Sequence, residues 1–165
     1  MKVLNMGQMI ATPSLTFSEA TNKATNDIFK ISGRSRRSEF WWTMGVVYLV
    51  NVFLTPFIGT ILSLLAIPLK IRRLHDVGKS GWWWGICAIL QTIVVSFFLY
   101  DLIILVINDS SSQAQSVIWG FIIKYLALWV FILIYKLILF IFYCMDSEPY
   151  ANKYGDSPQY VMKPL

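Results

Sequence analysis

Apolar residues in this chain come in long runs, and its polar residues gather at the ends of those runs. Phe40 to Leu69, Trp82 to Ile107 and Val117 to Met145 are each nearly continuous. A hydrocarbon core about 30 Å thick takes about 20 apolar residues as a helix, so the last two runs each predict one tilted span. Phe40–Leu69 holds 30 residues, roughly 45 Å as one helix, too long for a single straight crossing. It is interrupted by Thr55-Pro56 and Gly59. Two short helices over 40–54 and 57–71, the second kinked at Pro68, therefore compete with one kinked helix. The hairpin makes the expected fold all-α, a polytopic helical membrane protein with four transmembrane helices.

Upstream, residues 1–14 show no periodicity and read as a loose tail. Thr16 and Glu19 have capping-box spacing, and Phe17, Ala20, Ala24 and Ile28 then recur on one face, predicting a helix that lies along the interface. Residues 1–30 thus form a tail and an interfacial helix, 31–145 the transmembrane domain, and 146–165 a polar, turn-rich cytoplasmic tail. No sustained apolar core follows the first basic residue, so no cleavable signal peptide is expected. Gly78 is placed to stop one helix and Ser80 to cap the next.

Composition agrees with this picture. Hydrophobic residues make up 56% of the chain and charged residues 14%, outside the range of an ordinary soluble domain. The net charge of +5 flanks the apolar runs instead of forming a soluble basic face, which argues for membrane topology over nucleic-acid binding. A hairpin puts Arg34, Arg36 and Arg37 on the same side as Lys70, Arg72, Arg73 and Lys79. With it, all of the 14 basic residues except Lys124 and Lys136 share that side. The segment Asn108–Ser116, without Lys or Arg, then faces away from the cytoplasm, and both termini are cytoplasmic. Cys87 and Cys144 lie inside apolar runs without metal-ligand spacing, so neither a disulfide nor a metal site is expected.

Chemistry concentrates in K-I-R-R-L-H-D-V-G-K-S-G-W-W-W, residues 70–84. His75 beside Asp76, a helical turn after Arg72 and Arg73, suits proton handling or phosphate binding. It equally suits a structural clasp, because Asp76 is i+4 from Arg72 and i+3 from Arg73. The clasp is favoured, since no second histidine, cysteine or carboxylate cluster accompanies these residues. Trp82, Trp83 and Trp84 read as an interfacial belt. Asp101, Lys124 and Lys136 are costly inside spans, about 2.5–3.5 kcal/mol each near mid-bilayer, and need partners or water. Asp101 lies six residues before Ile107 and Lys124 seven after Val117, so at 1.5 Å per residue their depths agree and an ion pair is expected. Lys136 falls level with the turn that carries Ala88 and Gln91, so it has a neutral partner in Gln91, snorkels, or lines a polar cavity with it.

Three stretches, S-G-R-S-R-R-S-E-F-W at 32–41, R-R-L-H-D-V-G-K-S-G-W-W at 72–83 and N-K-Y-G-D-S-P at 152–158, resemble the domain of unknown function 805 family, small bacterial inner-membrane proteins. The resemblance implies a multi-span protein of the bacterial inner (plasma) membrane and supplies no reaction, cofactor or catalytic residue. Two features depart from the common pattern: a short segment between the first two motifs, and Met145–Tyr150 before the third. The leading expectation is a non-enzymatic protein whose basic face, Arg34, Arg36, Arg37, Arg72, Arg73, His75, Asp76 and Lys79, binds anionic lipid headgroups or a partner protein, another copy included. A small transporter or channel component using Asp101, Lys124 and Lys136 is the second reading, and a membrane enzyme acting on lipid headgroups through His75 and Asp76 the third.

Overall fold

The computed structural model describes residues 8–53, 56–107 and 114–163. Residues 1–7, Thr55 of the expected turn and residues 108–113 of the expected polar loop lie outside the described residues. In chain order the elements are β1 (Gln8–Ala11), α1 (Phe17–Asn26), α2 (Arg37–Phe53), α3 (Pro56–Leu65), α4 (Ile67–Asp76), α5 (Trp82–Ile107), α6 (Ala114–Cys144) and β2 (Tyr160–Lys163). They divide into two compact units, Met1–Gly81 with Phe142–Leu165, and Trp82–Ile141.

In the first unit, α1 starts from the expected capping box: Thr16 accepts from the Glu19 amide at 3.4 Å, and the Glu19 carboxylate accepts from the Thr16 amide at 2.8 Å. Ala20 and Ala24 form its buried face. The run from residue 40 to 69 is broken twice. After the break that follows Phe53, α3 packs back on α2 through Asn51, whose amide donates to Gly59 O at 3.1 Å and Ser63 Oγ at 3.2 Å. A Cβ at Gly59 would stand 2.8 Å from Asn51 Cα, so only glycine permits this approach. The second break is at Ala66. There Pro68, in the first turn of α4, starts a new helix instead of kinking a single helix over 57–71.

α4 ends as the sequence suggested. Gly78 takes φ +70°, its amide donating to His75 O at 3.1 Å while the Lys79 amide donates to Leu74 O at 2.9 Å. These two bonds make a Schellman motif. The two ends of the chain meet where no pairing was expected: β1 and β2 form an antiparallel ladder from Gln8↔Lys163 to Ala11↔Tyr160. Within the expected loose tail, residues 8–11 are therefore a strand, and 12–14 are irregular. A four-residue edge carries too little alternation to register as a pattern.

The second unit is built by α5 and the greater part of α6, which pack through Val94, Tyr125 and Ile132 with Phe98, Phe121 and Leu128 around them. The Tyr135 hydroxyl donates to Trp83 O at 3.0 Å. Trp82–Ile107 and Ile118–Cys144 are long and apolar enough to cross a membrane, and only 6% and 17% of their most apolar windows are buried. Their large side chains point outward, as lipid-facing surfaces do. α2, at 17 residues, is at the short limit for a span, and α3, at 10, is about half the usual length.

Candidate functional site

The C-terminal turn of α4 is the polar centre of the first unit. Arg72, Arg73, Leu74, His75, Asp76 and Val77 are all buried. Asp76 accepts from Arg34 Nε at 3.0 Å, from Arg73 Nη1 and from the Ser147 hydroxyl. Burial pushes its carboxyl up from the ordinary value, and the Ser147 hydroxyl and the guanidiniums of Arg73 and Arg34 oppose that rise. Arg34 goes further, donating to Asp76 O at 3.2 Å, Glu148 O at 2.6 Å, Tyr150 O at 2.8 Å and Gly155 O at 3.3 Å. Arg73 donates to Tyr143 O at 3.2 Å and to Met145 O. The carbonyls that end α4 are thereby satisfied from a distance: Asn152 donates to His75 O at 3.0 Å and the Glu148 amide to Asp76 O at 3.2 Å. His75 stacks on Tyr154, centroids 3.7 Å apart and planes 5° apart, and its Nδ1–H donates to Gly33 O at 3.2 Å.

The expected clasp is thus half right in its partners. Asp76 pairs with Arg73 at i+3, whereas Arg72 turns away from Asp76 to Asp27 at 3.2 Å and Glu39 at 3.3 Å. Glu39 is fully buried, and Lys23 reaches its other oxygen at 2.9 Å. A buried carboxylate demands such cations, because alone it would lose its hydration without compensation. Arg34, Arg72 and Arg73 are therefore internal links, which leaves a smaller basic surface than the sequence suggested. Lys79 stands 5.3 Å above the Phe142 ring.

Arg36, as buried as Arg34, and the exposed Arg37 have other surroundings. Both line a cleft of about 500 Å³ with Ser14, Ser38, Trp41, Trp42, Asp146 and Gln159. Arg36 donates to the Thr12 hydroxyl and carbonyl, each at 3.3 Å, and among the described residues no carboxylate lies within ion-pair distance of it. Arg37 pairs with Asp146 at 3.1 Å, the two side chains 52% and 72% exposed. A pair that open to water is weak and exchangeable.

The three motifs meet here: Arg34 belongs to the first, Asp76 to the second, and Asn152, Tyr154 and Gly155 to the third. A family model described as protein of unknown function (DUF805) matches residues 52–156. The chain belongs to that family. No curated protein and no solved structure matches it. The matched part of this DUF805 chain holds the second motif whole and most of the third; the first lies outside it, yet supplies the arginine that ties the other two together.

In the second unit of the DUF805 chain, Lys124 Nζ and the Tyr125 hydroxyl each donate to Asp101 Oδ2 at 2.6 Å. Lys124 is 53% exposed and Asp101 29%. Lys136 is exposed and Gln91 half-buried, and the cavity along α5 is lined by Thr92, Ile93, Ser96, Phe97 and Tyr100, neither of the two expected cavity residues among them. Among the described residues no group of three His, Cys, Asp or Glu side chains is placed to hold a metal ion. Sequence reading missed Asp27, Glu39, Ser147, Glu148 and Asn152. Two carried a signal: Glu39, a lone acid beside three arginines ahead of an apolar run, and Asn152, the first residue of the third motif. The others are ordinary polar residues whose partners lie far away in the chain.

Proposed function

We propose that this protein is a four-span protein of the bacterial inner membrane, both termini cytoplasmic, that binds anionic lipid headgroups without catalysing a reaction. The observation that carries this reading is the charge of Arg36, which hydrogen-bonds only neutral atoms of Thr12 among the described residues while it lines a cleft with Arg37. A phosphate in that cleft would accept from both guanidiniums, displacing the exposed Asp146 from Arg37. Trp41 and Trp42 line the same cleft, as indoles do at headgroup depth. α2 and α3 form the short hairpin of this topology, each tolerating mismatch by local thinning of the bilayer. The enzyme reading loses support, because His75 is held between Tyr154 and Gly33 O instead of facing a cleft.

The test is co-purification of anionic lipid. Arg36→Gln with Arg37→Gln should weaken retention by about 1 kcal/mol per charge, a factor of about five each. Unchanged retention of acidic lipid by the folded double variant removes the proposal.

A further inference from the structure

Arg36 is 7% exposed, and the donors it uses reach only the hydroxyl and the carbonyl of Thr12. A guanidinium has more donors than these. No nitrogen of Arg36 is both sealed from solvent and without an acceptor, so its unused donors stay accessible on a side chain that lines the cleft. Asp146 is the carboxylate among the described lining residues. Its neighbours fix it: the Met145 carbonyl accepts from Arg73, and the Ser147 hydroxyl donates to Asp76. The backbone at Asp146 is thereby anchored while its side chain stays 72% exposed.

Charge sets the first limit on a ligand. Arg36, Arg37 and Asp146 leave the described lining with one net positive charge. A phosphodiester brings one negative charge and cancels it. A phosphomonoester brings about −1.5 to −2 at neutral pH and overshoots, and a headgroup with both phosphate and ammonium cancels nothing. Hydrogen bonding sets the second limit. A phosphate that takes Arg37 from Asp146 removes the donor that this carboxylate has among the described residues, and a hydroxyl on the headgroup replaces it. The same wall offers neutral partners. Gln159 is held through its main chain, its carbonyl accepting from the Thr12 amide at 2.8 Å and the Thr12 hydroxyl at 3.0 Å, so its side-chain amide remains for a ligand. The Ser38 hydroxyl accepts from the Leu15 amide at 3.2 Å and keeps its own proton to donate.

On the reading that this cleft takes a lipid phosphate, we propose that it selects a singly charged phosphodiester whose headgroup bears free hydroxyls, as a glycerol does. The phosphate lies between Arg36 and Arg37, one hydroxyl donates to Asp146, and a second exchanges hydrogen bonds with Gln159. Asp146 then has two opposed effects. It competes with any phosphate for Arg37, and it holds the hydroxyl that only some headgroups carry.

The test is lipid retention by the full chain in detergent, read by native mass spectrometry, with lipids of matched acyl chains. Phosphatidylethanol is the deciding comparison, because it is a phosphodiester of the same charge as phosphatidylglycerol and has no free hydroxyl. Phosphatidylglycerol should be retained about fivefold better, the effect of about one net hydrogen bond. In Asp146→Ala, retention of phosphatidylethanol should rise and the advantage of phosphatidylglycerol should vanish. If that variant does not fold, the two lipids compared on the unaltered protein decide alone. Equal retention of the two overturns the hydroxyl selectivity and leaves the anionic-headgroup reading standing. Retention of phosphatidylethanol no better than that of phosphatidylcholine, and unmoved by Arg36→Gln with Arg37→Gln, overturns that reading and this proposal with it. Phosphatidylethanolamine retained as well as phosphatidylglycerol, or phosphatidic acid retained better, overturns the charge match. An advantage that survives Asp146→Ala in folded protein overturns the place given to Asp146.

Discussion

Arg34 and Asp76, 42 positions apart in the chain, form an ion pair at 3.0 Å with both side chains buried. Removing the acid strands two guanidiniums at once, those of Arg34 and Arg73. Asp76→Asn should therefore destabilise the first unit by about 3–5 kcal/mol, the usual cost of an uncompensated buried charge. Thermal unfolding of the detergent-solubilised protein, followed by tryptophan fluorescence, measures this. A loss no larger than that of an exposed pair, about 1 kcal/mol or less, would show that water reaches the cluster.

Asp101 and Lys124 pose the same question in the second unit. Asp101→Asn or Lys124→Met alone should lower stability, and the double substitution should restore roughly half or more of the summed loss, since neither charge is then left alone. Strict additivity in the double-mutant cycle would mean that the contact contributes nothing.

Burial pushes the His75 imidazole below its ordinary value of 6.5, with the Gly33 carbonyl opposing and the charge of Lys153 assisting. The fold thus favours the neutral ring. Its contribution is complete above about pH 6.5 and declines as the pH falls through the lowered folded value, because the unfolded chain takes up the proton first. From pH 7.5 to 5.5 the melting temperature should fall further, or rise less, for the unaltered protein than for His75→Phe, which keeps the stack on Tyr154. The raised Asp76 carboxyl acts with the opposite sign and is common to both proteins. Equal pH dependence would remove His75 as the cause.

Topology is read by cysteine accessibility in a background lacking Cys87 and Cys144. Reagent added to intact cells should label Ile58→Cys and Ser112→Cys and should spare Thr25→Cys and Lys153→Cys. Lys153 is preferred to its neighbour Gly155, whose φ of +126° no side chain tolerates well. Labelling at 25 or 153 is the result that rejects cytoplasmic termini.

Local signals were readable in the sequence and distant ones were not. The capping box of α1, the bounds of α5 and the glycine stop of α4 each depend on residues within one or two turns. Asp101 and Lys124 were expected to meet because depth in a bilayer is a coordinate that helix rise supplies. Arg72 shows the limit. Its i+4 neighbour Asp76 was the nearest acid in sequence, but the guanidinium went to Asp27 and Glu39, 45 and 33 positions upstream. Only the packing of α1 on α2 and of α2 against α4 brings those acids within reach, and neither helix announces it. The second break at Ala66 was hidden for a similar reason: Pro68 is compatible with a kink or a fresh start, and the burial of the α4 face decides between them.

The first unit is discontinuous in the chain, its two parts separated by Trp82–Ile141. During synthesis, Arg34 and Arg73 leave the ribosome well before Tyr143, Met145, Glu148 and Tyr150, whose carbonyls they will bind. Until the last of these emerges, the guanidiniums have no protein acceptor for those protons, and β1 has no strand to pair with. The apolar helix α5 and most of α6 are therefore synthesised while the first unit is still open. A chain that stops short of Ser147 lacks the Glu148, Tyr150 and Gly155 carbonyls that Arg34 binds and the Ser147 hydroxyl that donates to Asp76, so Arg34 and Asp76 keep each other but lose the contacts that close the unit around them.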